Sequence, residues 1–461
     1  MPPQEQAAIL KEQAALRRSK QPSRRAHFQK QVITSKSSPI VPTPSTTHSV
    51  PSSPAPSMEG KARSLAIIGG GAAGFFLAIN AKELLPSLHV TIFEQQDRPL
   101  KKVEISGGGR CNCTNTFAQV TDLGQVYPRG SKLLKRLFKQ FGPKDAYRWF
   151  EEHGVPLVVQ SDECIFPEAQ DSHAIIDCFL YEARKHAIEV KTRAKVTDAE
   201  ALFDHYDYVA VTTGGISRSS LLTPTYGRNT PITPLAPSLF TFNIKDETLH
   251  ELMGTVVEHA IVSIPSTKFR VQDPLLITHW GMSGPAVLKL SSHAATHLAA
   301  NNYRSPILVN WTGETNADTV LSHLTDLLAA SSGKLIDNIH AFHLQSRLWI
   351  YLLNKSQLQG RRCREIGKKG LNRLVNILTN DLYHIDSRCQ YKDEFVTCGG
   401  VDLSSVDKAT LESKLRPGLF FAGEVLDIDG VTGGFNFQAA WTTAYAVAKA
   451  IADREIINHS E

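Results

Sequence analysis

Four apolar residues, Leu65-Ala66-Ile67-Ile68, open the patterned part of the chain and give way abruptly to glycine. A short apolar run without alternation predicts a strand buried on both faces, as in a parallel sheet. Phe75, Phe76, Leu77, Ala78, Ile79 and Ala81 continue as a helix that stops near Pro86, and Val90-Thr91-Ile92-Phe93 predicts the next parallel strand. Helical spacing recurs over 131–153 and 172–187, with short strands at 188–190 and 208–213. After Arg218 the texture changes. Prolines at 224, 231, 234 and 237 are followed by short runs such as Leu239 to Ile244 and Ile307 to Asn310, which predict antiparallel β structure. Residues 316–382 read as helical. Ser283 is placed to cap a helix begun by Pro285. Parallel-strand texture returns at Leu419-Phe420-Phe421-Ala422, and an apolar helix follows from about Phe437 to Ile451.

The glycines between the first strand and helix carry chemistry. Gly69, Gly71 and Gly74 stand at GxGxxG spacing, which serves a tight turn, close approach to a pyrophosphate and close helix–strand packing. The helix N-terminus at Ala72 and Ala73 offers unpaired N–H groups and partial positive charge. The second strand ends on Glu94, about twenty residues beyond Gly74, where a carboxylate accepts from both ribose hydroxyls and repels a 2′-phosphate. This is an adenosine-dinucleotide site that disfavours NADP.

A second glycine cluster follows. Lys102, Ser106, Gly107, Gly108, Gly109, Arg110, Cys111 and Asn112 form a stretch poor in core residues, suited to cradling a ligand with backbone and amide groups. Thr213 and Gly214 end a strand that delivers its backbone to a ligand, and Gly423 and Glu424 end another. Asp429, Gly433, Gly434, Phe435 and Asn436 then precede the last helix, a second glycine-rich helix start hundreds of residues after the first.

Composition adds limits. No apolar run in the 461 residues approaches the length of a membrane span. The net charge of +5 is concentrated in residues 1–64, which hold ten Lys/Arg and three Glu; the rest carries 40 basic and 42 acidic side chains. A body this neutral gives no reason to expect nucleic-acid binding. Seven cysteines, none paired at CxxC spacing, fit free thiols in a reducing, cytoplasmic compartment without a metal site. Residues 1–62 form a Ser-, Pro- and Arg-rich tail that cannot bury enough surface to order itself. It reads as a dispensable tail or as sequence preceding a true start at Met58, with a transit peptide or basic arm as the alternatives. Removing residues 1–57 is therefore expected to leave thermal unfolding and bound-dinucleotide content unchanged.

At this point the chain closely resembles the HI0933-like flavoproteins, FAD-dependent oxidoreductases related to the glutathione-reductase-type fold. The matching stretches are IIGGGAAG (67–74), ISGGGRCNCTN (105–115), the Phe166-Pro167 region, TTGG (212–215), THWGMSGPA (278–286) and FAGEVLDIDGVTGGFNFQAAW (421–441). Cys164 departs from the pattern, standing where a basic residue often precedes the Phe-Pro pair. The resemblance implies an α/β, discontinuous Rossmann-type FAD domain over 63–217 and 389–456. A β-barrel insert over 218–315 interrupts it and carries a helical subdomain over 316–388. It also implies that the 106–115 loop wraps the flavin ring and ribityl chain, that Gly423 and Glu424 hold the ribityl or pyrophosphate end, and that the helix after Gly434 aims at the flavin N1–C2=O edge.

The expected activity is hydride transfer through bound FAD between a small organic substrate or NAD(P)H and an acceptor such as oxygen, a quinone or an enone. A flavin-dependent tRNA-modifying enzyme and a non-enzymatic flavin-binding regulator are the alternatives. No second GxGxxG unit exists, so NAD(P)H must approach from the insert face. His279 is the one candidate acid or base, with a packed or capping histidine as the plainer reading.

Overall fold

The computed structural model describes residues 62–216, 224–388 and 396–458. The tail, the boundaries at 217/218 and 388/389, Arg218 and Cys389 lie outside the described residues. The described segments belong to one unit, Glu59–Glu461.

Its first core is a five-stranded sheet. Strands β1 (Ser64–Ile68), β2 (His89–Phe93), β3 (Glu189–Lys191), β4 (Tyr208–Val211) and β5 (Leu419–Phe421) pair in parallel in the order β5-β4-β1-β2-β3. The chain leaves β1 toward β2 and later returns on the other side through β4. The carboxyl end of β1 is therefore the switch point, where a crevice for ligand opens. Helix α1 (Ala72–Leu84) follows β1 directly. It packs against α2 (His173–Lys185) and the terminal helix, Phe435–Asn458. Phe76 anchors this contact, with its ring centroid 5.1 Å from that of Trp441 and 4.6 Å from that of Trp149. Such fully buried aromatic side chains each contribute roughly 2–3 kcal/mol by area.

Between β4 and β5 the chain builds a second core on an eight-stranded antiparallel sheet. Helix α3 (Pro285–His293) packs on this sheet. It is capped by Gly284 at a φ of 88°, without a side-chain cap, and Ser283 sits in strand Gly281–Ser283. The Ser283 cap expected from sequence is thus replaced by a backbone turn only glycine adopts easily.

Helices Ala317–Ala330, Ser346–Lys355 and α4 (Lys368–Asn380) form a cluster between strands Ser305–Asn310 and Asp381–Arg388. These two strands pair with each other, so the helices are an excursion from the sheet and end at Asn380. Their apolar faces complete the second core through Leu324, Trp349, Leu352 and Leu378. The terminal helix, here α5 (Phe435–Asn458), begins two residues earlier and ends seven later than the apolar pattern suggested.

Candidate functional site

Three clusters of residues meet the carboxyl edge of the parallel sheet. The first is the turn from β1 into α1. The Gly69 N–H donates to the Phe93 carbonyl at 2.8 Å, and Thr212 Oγ1 donates to the Gly69 carbonyl at 2.9 Å. A side chain on Gly74 would collide with the Gly69 carbonyl oxygen, so glycine there is what lets α1 press onto the strand. A Cβ on Gly71 would meet nothing within 4 Å. Open space therefore lies over Gly71 and the N-terminus of α1, which has no side-chain cap. The first N–H groups of α1, at Ala72 and Ala73, have no intrahelical acceptor. This cradle fits the pyrophosphate of a dinucleotide.

Glu94 is held beside it. Its Oε2 accepts from the Gly70 N–H at 2.9 Å and its Oε1 from the Gln96 N–H at 2.7 Å. Each oxygen keeps a further lone pair for a ribose hydroxyl. Loss of a charge-assisted hydrogen bond costs roughly 1.5–3 kcal/mol. Glu94→Ala is therefore expected to weaken FAD binding about ten- to a hundredfold on titration of the apoprotein. Unchanged affinity would make Glu94 merely a brace for the turn.

The second cluster joins residues more than three hundred positions apart. Lys101–Gly109 is helical at its start and ends in a left-handed run, with φ of 57°, 68° and 82° at Gly107, Gly108 and Gly109. A Cβ on Gly108 would face open space. With its amide oriented as the surroundings require, Asn112 donates to the Thr114 carbonyl at 2.9 Å and accepts from the Gly434 N–H at 3.2 Å. Asn115 Nδ2 donates to the Gly433 carbonyl at 3.1 Å, and Trp441 Nε1 donates to the Cys113 carbonyl at 2.8 Å. The glycine loop and the start of α5 thus form one surface.

The third cluster is ionic. Lys102 Nζ lies 3.0 Å from Glu424 Oε2, and the Thr397 N–H donates to Glu424 Oε1 at 3.0 Å. The Glu424 charge raises the Lys102 ammonium above its ordinary value. Gly214 passes beside the same carboxylate, and Thr213 is exposed next to it. A Cβ on Gly423 would come within 2.8 Å of the Ala73 Cβ, which places this cluster against the start of α1.

Several expected residues do other work. Asp429 is fully buried, ion-paired to Arg129 and bonded by Ser238 Oγ at 3.1 Å. Burial pushes its carboxyl up against the pull of Arg129. Arg129 also donates to the Ser292 carbonyl of α3 at 3.0 Å, so the pair ties the two cores together. Asn436 spans its own turn, donating to the Gly430 carbonyl at 2.9 Å and accepting from the Gly430 N–H at 2.8 Å. Cys111 is fully buried with its thiol pushed up to about 12 by burial, so only its backbone serves the loop. The Ser106 hydroxyl closes its own turn on the Val103 carbonyl at 2.7 Å. His279 is exposed at the turn before Gly281, against Trp280, and does not line the cavity described next.

A cavity of about 800 Å³ opens where the glycine loop, the start of α5 and the insert meet. Gly107, Arg110 and Asn112 form one wall, and residues 431–437, including Phe435, form another. Cys164 and Phe166 lie beside them, and the insert contributes Asp273, Pro274, Pro285 and Lys289. The Arg110 guanidinium stacks 4.3 Å over the Phe166 ring. Lys289 Nζ is 2.5 Å from Asp273 Oδ2. Gln119 and Gln125 bring exposed carboxamides to the lining. The Cys164 thiol, pushed up to about 11 chiefly by burial, stays protonated at neutral pH. Sequence reasoning missed Gln119, Gln125, Asp273, Lys289 and Thr397, which carry no motif spacing. Cys164 was visible only as a departure from a family pattern.

Comparison with known proteins covers nearly the whole described chain. Residues 63–450 match the family model described as HI0933-like protein Rossmann domain. The chain is 28% identical over 408 residues to the ribosomal RNA dihydrouridine synthase of Escherichia coli, covering 83% of this chain and 96% of that protein. It is 28% identical over 413 residues to the protein of the same name from Haemophilus influenzae, covering 84% and 97%. The 3-dehydro-bile acid delta(4,6)-reductase of Clostridium scindens is 25% identical over 416 residues, covering 85% and 99%.

Proposed function

The chain belongs to the HI0933-like Rossmann-domain family and is a FAD-dependent oxidoreductase, and from that premise we propose that it saturates a C=C bond conjugated to a carbonyl, with an RNA uracil as substrate. The names of its relatives share this chemistry. Dihydrouridine and a reduced delta(4,6) bile acid both arise by adding hydrogen across a C=C bond in conjugation with C=O. NADH or NADPH, approaching from the insert face, is the proposed source of electrons.

The observation that carries the reading is the single cavity shared by the glycine loop, the start of α5 and the insert. The three clusters fit FAD, with Glu94 at the adenosine ribose, Gly71 and α1 at the pyrophosphate, and the 107–112 loop with Gly434 at the ring. Bound there, FAD supplies a hydride from N5. The chain's own residues supply the rest. Arg110, held over the buried Phe166 ring, faces negative charge developing on the conjugated oxygen. Cys164 holds a proton that completes the addition at the carbon next to the carbonyl, so one hydride and one proton enter together.

The polar lining favours a base over a steroid. Gln119 and Gln125 present carboxamides that match the alternating C=O and N–H edge of uracil, whereas a steroid nucleus demands an apolar slot. The stacked Arg110–Phe166 pair resembles the platforms on which unstacked RNA bases are read. A uridine would have to swing out of its helix to enter.

The test is incubation of the holoenzyme and NADH or NADPH with ribosomal RNA from cells lacking the enzyme, followed by nucleoside mass spectrometry. A uridine gaining two hydrogens is the expected result. Turnover of a steroid dienone with no change in the RNA would move the substrate to the bile-acid type and keep the chemistry.

A further inference from the structure

The helical excursion of the insert carries nine Lys/Arg against four Asp/Glu between 316 and 380, in a body that from residue 65 onward is slightly negative. Six of these cations lie on two segments that touch. The Leu335–Arg362 bridge and the Cys363 N–H donating to the Lys334 carbonyl at 2.9 Å bring Lys334 beside Arg361, Arg362 and Arg364. Lys368 and Lys369 follow at the start of α4. All six are exposed, and none forms an ion pair among the described residues. The carboxylates of the same stretch are turned to backbone. Asp337 accepts from the Gly360 N–H at 2.9 and 3.1 Å, and Glu365 accepts from the Arg362 N–H at 3.3 Å.

The arrangement costs local stability. Lys368 and Lys369 occupy the first turn of α4, where the helix dipole favours anions, and no acidic residue shares that turn. Neighbouring like charges repel along the Arg361–Arg364 segment as well. A structure that keeps six exposed cations together, outnumbering the two carboxylates among them and ion-paired to neither, matches a polyanion better than a single small anion, because the charges spread along an edge instead of converging on one point.

Resting on the RNA reading above, we infer that this edge, from Lys334 through Lys369, docks the phosphate backbone of structured RNA away from the cavity. It supplies affinity and orientation, while base recognition stays with the cavity lining.

The test compares the full-length holoenzyme with R361Q/R364Q/K368Q/K369Q, using a fluorescein-labelled transcript of a ribosomal RNA hairpin and a series of salt concentrations. Each phosphate contact removed lowers the slope of log affinity against log salt by about 0.7–0.9, so the fourfold variant should lose roughly three units of slope. Its affinity should fall at least tenfold at the lowest salt, with unchanged flavin content, melting temperature and flavin reduction by NAD(P)H. Unchanged slope and affinity in the variant, with the wild type binding tightly, would overturn the edge while leaving the RNA reading intact. Failure of the wild type to bind the transcript would sink the RNA reading itself. Displacement of the RNA by polyglutamate at equal charge concentration would assign the edge to acidic proteins and also overturn the inference.

Discussion

Replacing Cys164 with alanine is expected to slow reoxidation of the reduced enzyme by its conjugated acceptor about a hundredfold or more, while reduction by NAD(P)H keeps its rate. The magnitude is that of losing a positioned proton donor, typically 10²–10⁴. Cys164 is the buried thiol of the lining; of the carboxylates beside it, Asp162 is exposed and Glu163 accepts from the Thr116 hydroxyl. A purely structural role predicts something else. Losing a small buried side chain would lower the melting temperature and affect both half-reactions alike. The pH profile separates the two, because a thiol donor gives a reoxidation rate that falls as pH rises toward about 11. Equal rates for both half-reactions in the variant would remove Cys164 from the chemistry.

Gly434→Ala is expected to abolish flavin retention. The residue sits at a φ of 85°, and a Cβ there would collide with the Thr114 carbonyl oxygen. Left-handed backbone costs a non-glycine residue about 1–3 kcal/mol, and forcing atoms into a packed contact about 1–3 kcal/mol more. The only relief is to move the start of α5 away from residues 112–115, which breaks the Asn112 and Asn115 bonds that join the two segments. Proline, whose ring fixes φ at about −65°, cannot adopt this backbone either. Purification of Gly434→Ala with full flavin content would show that α5 and the glycine loop do not share one ligand.

How much of this could be read from the sequence depended on the range of each interaction. The β1–α1 turn was legible because Gly69, Gly71, Gly74 and Glu94 lie within one βαβ unit and each meets a local constraint. The parallel sheet followed from apolar runs that need no partner to be recognised. Asp429 was read as a ligand because it sits among glycines near a helix start, yet its carboxylate turns inward to Arg129, three hundred residues away. Nothing local announces such a pairing. The same holds for Thr397 on Glu424, and for Lys289 and Asp273, which reach the cavity only because the insert folds over it. The basic stretch at 361–369 is visible in the sequence as charge, whereas nothing local shows that Lys334 joins it through the strand bridge.

The most direct measurement is donor-independent. The holoenzyme is photoreduced without oxygen and mixed with ribosomal RNA lacking the modification, and flavin absorbance is followed alongside the nucleoside content of the RNA. The account predicts reoxidation of the flavin with one dihydrouridine formed for each flavin reoxidised. A flavin that stays reduced in the presence of both the RNA and a steroid dienone, and reoxidises only when oxygen or a quinone is admitted, would contradict it.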